Sequence, residues 1–152
     1  MVLSQPETVM QLATYLRLVR ASAFYDLIVT GALATPWTLP FVHGLMSDLN
    51  LRLGGAPLPD CAPFHMFIAG LLGSIVVVWS LLRIREPSLS LGRYDGTARF
   101  LFSSWMMWTL AHADAPVLWL LLVPEFTWGV AQWWWVGQQK SAHCEQSGVL
   151  LS

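Results

Sequence analysis

The chain has 152 residues, 55% hydrophobic and 11% charged, with nine Trp and a net charge of −1; its mean hydropathy is positive, at +0.54. This composition lies outside the soluble globular range and reads as a polytopic membrane protein. A bilayer core of about 30 Å takes roughly 20 apolar residues per helix, which leaves room for about four spans and none for a separate soluble domain, and the near-neutral charge without a basic run or zinc-finger spacing argues against a nucleic-acid partner.

The first sixteen residues, with Pro6 and Glu7 near a helix start, predict a cytoplasmic surface helix running into a first span at 21–39 (ASAFYDLIVTGALATPWTL). The "ALA" at 32–34 resembles a signal cleavage site. Asp26 interrupts the apolar region before it and the apolar run continues past it, so the span is expected to be retained. Pro36 and Pro40 should kink its end. Beyond them, Phe41, Val42, Leu45, Met46, Leu49 and Leu53 recur at helical spacing, with His43, Ser47, Asp48, Asn50 and Arg52 mostly opposite, the pattern of a short amphipathic helix on the outer membrane surface. Gly54 and Gly55 end it, and "APLPDCAP" leads as a turn-rich loop into the second span.

That span, 64–82 (FHMFIAGLLGSIVVVWSLL), offers a small face of Gly70, Gly73 and Ser74, in which Gly70 and Ser74 have the small-xxx-small spacing of close helix contacts, expected within the bundle or against a partner subunit. The third span, 97–113, is marginal in length; the fourth, 117–136, ends in Trp133, Trp134 and Trp135, read as interfacial anchors. Arg17, Arg20, Arg83, Arg85, Arg93, Arg99 and Lys140 fall on one side and only Arg52 on the other, which predicts N-in, C-in topology in a bacterial inner membrane. The expected fold is a four-transmembrane-helix bundle with a periplasmic surface helix between spans one and two, as a single domain.

Three sets of residues are candidates for function. Asp26 lies one to two turns inside the cytoplasmic boundary on a stripe with Ser22 and Thr30, and Arg99 sits at a similar depth on the third span, so the two are expected to form a structural ion pair. Glu125 stands nine residues after Pro116, about 14 Å into the bilayer at helical rise, on one face with Trp128, Gly129 and Gln132, and Pro124 bends the helix just before it. Its expected role is that of a neutral acid making a packing hydrogen bond to a hydroxyl or indole, or acid and base work in an intramembrane cavity lined by Trp128 and Gln132. His43, His65 and His112 all fall at the periplasmic interface, in one layer with Met46, Asp48, Asp60, Cys61, Met66 and Asp114. Imidazole, carboxylate and thioether could together hold a transition metal or haem, against a chance clustering of polar residues at an interface. Cys61 and Cys144 fall on opposite sides and cannot pair within one molecule, which argues against a quinone-linked thiol oxidoreductase.

The chain carries no nucleotide, hydrolase or metalloprotease motif. Two functions are therefore expected from residues alone. The first is a small inner-membrane accessory subunit that works with a larger membrane partner or as a homo-oligomer, handling metal or haem at its outer face. The second is an intramembrane ligand-binding or lipid-modifying bundle with Glu125 as its acid or base.

Overall fold

The computed structural model describes the backbone of residues 6–149 and the side chains of residues 12–134. Five α-helices follow one another, α1 (Pro6–Thr30), α2 (Thr38–Arg52), α3 (Pro63–Arg85), α4 (Leu89–His112) and α5 (Trp119–Val149), and no strand occurs among the described residues. Proline and serine mark the starts. Pro6 and Pro63 open α1 and α3, where the missing N–H costs nothing, and the Ser88 hydroxyl caps α4 by accepting from Leu91 N–H at 3.2 Å. The helical pattern of α1 therefore runs from residue 6 as one piece into the expected first span.

The break after α1 has a local cause. A 3₁₀ turn, Gly31–Ala34, follows α1, and Thr35 is extended at φ −124°, ψ 144°, as a residue before proline is driven to be. Residues 12–34 and α2 then diverge by 109°. Thr38 secures the corner, its N–H donating to Thr35 Oγ1 at 3.2 Å and its hydroxyl to the Ala32 carbonyl. Gly54, at φ +87°, turns the chain out of α2.

Asn50 closes that end of the molecule. Spacing assigns it to the polar outer side of α2, yet it is fully buried. Its amide donates to the Ala56 carbonyl at 2.7 Å and the Asp114 carbonyl at 2.9 Å, and its Oδ1 accepts from Val117 N–H at 2.9 Å. Backbone groups with no helical partner draw the side chain inward. Gly55 lies so close that a Cβ there would meet Asn50, Pro116 and Asp114.

α1 packs chiefly on α3, α4 chiefly on α5, and α1 joins the two pairs by touching α4 and α5. Glycines set the closest approaches. Gly73 of α3 faces the 3₁₀ turn, where a Cβ would come to 2.8 Å from backbone atoms of Leu33 and Ala34. Gly96 of α4 would meet Trp133 at 2.8 Å, and Gly92 would meet Val19 at 2.8 Å and the Tyr15 ring. Gly70, expected to be a close-contact residue, faces open space, because the bend after α1 brings the chain only to Gly73.

Beside a small apolar core around Tyr15 and Val19, with Leu39, Val117 and Leu122 buried elsewhere, much of the interior is polar and much of the exterior apolar. Ser22, Asp26, Ser80, Arg83, Asp95, Arg99, Ser103 and Gln132 are buried between the helices, while Ile28, Val78, Leu101 and Val123 point outward at 78, 68, 61 and 56% exposure. A water-soluble bundle shows the reverse arrangement. Among the described helices, α3 is long and apolar enough to cross a membrane by itself, and residues 12–34 with α2 qualify only as a bent pair. α4 carries Arg93, Asp95 and Arg99 in its first half and begins eight residues before the expected span.

Candidate functional site

Five ionisable side chains from four helices meet inside the bundle. Asp26 comes from α1, Arg83 from α3, Asp95 and Arg99 from α4, and Glu125 from α5. Arg99 is central. Its Nη2 donates to both Asp26 oxygens at 2.9 and 2.7 Å, its Nε to Asp95 Oδ2 at 3.0 Å, and its Nη1 to Glu125 Oε2 at 2.7 Å. A planar guanidinium with donors on three sides can serve three carboxylates at once, which an ammonium on a single stem cannot do in the same geometry.

Arg83 is the second cation. It pairs with Asp26 through Nη2 and with Asp95 Oδ2 through Nη1 at 2.5 Å, and Nη1 also donates to Ser22 Oγ at 3.3 Å. Two neighbours finish the inner side: Trp79 Nε1 donates to Asp95 Oδ1 at 3.1 Å, and Gln132 Nε2 donates to Asp95 Oδ2 at 2.8 Å and Ser22 Oγ at 3.0 Å. Such a network repays the cost of burying charge only when nearly every donor and acceptor is matched; here the carboxylates of Asp26 and Asp95 are matched in full, while Arg83 Nε and Gln132 Oε1 find no partner among the described residues.

The sequence places two members of this cluster elsewhere. Arg83 reads as a cation flanking the membrane, and it is fully buried. Asp95 lies before the expected third span, and it too is inside. Arg83 sits two residues from the end of α3 and Asp95 six residues, under two turns, from the start of α4, on helix ends that continue beyond the apolar run, so the face they share with Trp79, Ser80 and Arg99 points into the bundle. The available signal was Asp95 four residues before Arg99, a spacing that sets opposite charges on one helical face. Asp26 and Arg99, matched by depth, are brought together as described above.

A cavity of about 270 Å³ opens beside the cluster. Asp26, Asp95, Arg99 and Glu125 form its ionic floor, and Ile75, Val76 and Trp79 of α3 with Phe102 and Met106 of α4 form its walls. The backbones of α3 and α4 are not closely packed, so the cavity occupies the seam between them. Trp128 and Gln132, expected to line a cavity with Glu125, do not. The Trp128 ring sits 6.3 Å from the Tyr25 ring on α1, and Gln132 is buried about 10 Å further along α5, beneath the ion pairs.

The outer histidines do not come together. His43 Nε2 donates to the Pro59 carbonyl at 3.0 Å, tying α2 to the loop before α3. His112 Nδ1 donates to the Trp108 carbonyl at 2.7 Å with its ring stacked 4.4 Å from that indole. His65 is exposed at the start of α3. Among the described residues no group of three or more His, Cys, Asp or Glu could hold a metal ion. Cys61 is a free, half-buried thiol; the side chains of Trp135, Lys140 and Cys144 lie outside the described residues. Comparison of the chain with family models, with curated proteins and with solved structures finds no match.

Proposed function

We propose that this chain is a four-span, multi-pass membrane protein, with α1, α3, α4 and α5 crossing and α2 lying on the outer surface, and that it binds a small amphipathic molecule within the bilayer. The observation that carries this reading is the cavity of about 270 Å³, apolar in its walls and ionic in its floor, at a seam between two helices whose outer faces are apolar. Sites for small ligands have this composition: mostly hydrophobic lining with a few convergent polar groups. The seam gives access from the lipid side, and Glu125, at the edge of the ion-pair network, is the acid or base that meets the ligand.

Orientation follows the positive-inside rule. Arg17, Arg20, Arg85 and Arg93 are exposed at the end of the bundle where α1 enters, and Arg52 is exposed at the other end, which supports reading the first end as the cytoplasmic one. The alternative expectation, an accessory subunit holding metal or haem through His43, His65 and His112, has no comparable support in the described residues.

The test is photolabelling of the full chain in lipid nanodiscs with an octanol that carries a diazirine, with adducts mapped by mass spectrometry. Adducts should concentrate on Trp79, Phe102 and Met106, and Ala98→Trp, which fills the cavity wall, should remove them. Equal labelling of Val78 and Leu101, which face outward, with no effect of Ala98→Trp, would refute a cavity site.

A further inference from the structure

The hydrogen bonds of the floor single out one atom. Both oxygens of Asp26 and both of Asp95 accept from guanidinium, indole or amide donors. Glu125 uses only Oε2, toward Arg99. Its Oε1 accepts from no described residue, is not sealed from the surroundings, and belongs to a carboxylate that lines the cavity. Charge gives the same answer independently. With all three carboxyls ionised, three carboxylates face two guanidiniums and one negative charge is unmatched among the described residues; the exposed arginines lie at the ends of the bundle.

We infer that the ligand of this cavity is a cationic amphiphile, a protonated amine on a short apolar tail. The reading rests on the intramembrane site proposed above and names its chemical class. The ammonium donates to Glu125 Oε1 and supplies the missing positive charge, while the tail lies against Ile75, Val76, Phe102 and Met106. A charge-assisted hydrogen bond in a low-dielectric site is much stronger than its neutral counterpart. An alcohol of equal length gains the same apolar contact and a neutral hydrogen bond only. An anionic head, such as a fatty carboxylate, would meet a floor that is already one charge too negative.

Competition against the diazirine octanol separates these cases, using octylamine and 1-octanol near neutral pH, where an alkylamine is protonated as lysine is. In the wild-type chain octylamine should displace the label from Trp79, Phe102 and Met106 at a concentration about tenfold lower than 1-octanol. Labelling of the outward residues Val78 and Leu101 reports how much of each competitor has entered the bilayer and normalises the comparison. In Glu125→Gln, which keeps an acceptor for Arg99 and removes the charge, the advantage of the amine should vanish. Equal potency of amine and alcohol in the wild type overturns the inference whether or not the variant folds, and so does an amine advantage that survives in a folded Glu125→Gln. If cavity labelling is seen but shows no preference for the amine, only the ligand class is wrong; if the cavity is not labelled at all, the site itself is.

Discussion

Arg99 holds together carboxylates from three helices, so its removal should cost more than that of any other cation. Arg99→Met leaves Asp26, Asp95 and Glu125 with only Arg83 among them. Breaking a buried pair in this way costs about 3–5 kcal/mol, which should appear as a large drop in melting temperature or as loss of folded protein in detergent. The exposed Arg93, six residues away on the same helix, is the control; Arg93→Met should stay within about 0.5 kcal/mol of the wild type. Asn50 acts through geometry alone, at the end of the molecule where α2 meets the segment between α4 and α5. Asn50→Ala gives up three hydrogen bonds to backbone groups and should cost about 1–3 kcal/mol. Asn50→Asp should be no better, because a carboxylate cannot donate to the Ala56 and Asp114 carbonyls; a melting curve of Asn50→Asp that overlays the wild type would show that those two bonds contribute nothing.

At the scale of helices, the approach of α4 to its neighbours depends on two glycines spaced four apart. Gly92 lies against Tyr15 and Val19 of α1, and Gly96 against Trp133 of α5. Gly96→Leu has no room to place its side chain without moving an indole, and overpacking of this kind costs about 1–3 kcal/mol or more. Gly70→Leu on α3 meets open space and should be neutral. Thermal unfolding of the two variants side by side checks this contrast; a destabilised Gly70→Leu with a stable Gly96→Leu would mean that the helices pack otherwise. The same two positions show what the sequence conceals. Small residues at i and i+4 mark surfaces that can approach closely, but Gly70/Ser74 and Gly92/Gly96 carry that mark equally. Which pair is used depends on which helix lies opposite, a tertiary fact: α1 and α5 lie against Gly92 and Gly96, and nothing among the described residues lies against Gly70.

Across the whole molecule, what could be read in advance followed from chemistry that acts locally. Apolar runs located α3 closely and only parts of α1, α4 and α5, the expected first span at 21–39 running past the end of α1 at Thr30 into α2; Pro36 and Gly54 located the breaks, and the depths of Asp26 and Arg99 paired them. Arg83 and Asp95 escaped because a charge at the end of an apolar run reads the same whether it turns toward headgroups or toward a neighbouring helix; only the partner helix decides, and linear spacing does not contain it. Glu125 was legible as an anomalous acid but not as a partner of Arg99, since helical periodicity gives a face and not what the face meets. For the histidines, a shared depth left both a common site and a chance clustering open, since depth does not fix proximity: residues in one layer of a bundle can be committed to different backbone carbonyls.

In the membrane reading proposed above, the polar interior exists because the four long helices sit in lipid, with their charges turned toward one another. Site-directed spin labels test it most directly. In a chain with Cys61 and Cys144 replaced by serine and reconstituted in bilayers, single cysteines are placed at Ile28, Val78, Leu101 and Val123, the outward apolar positions on α1, α3, α4 and α5. All four labels should relax strongly with dissolved oxygen and weakly with a water-soluble nickel chelate, the signature of hydrocarbon. Nickel access at Leu101 or Val123, with oxygen access retained at Val78, would leave α3 as a lone span and contradict the account.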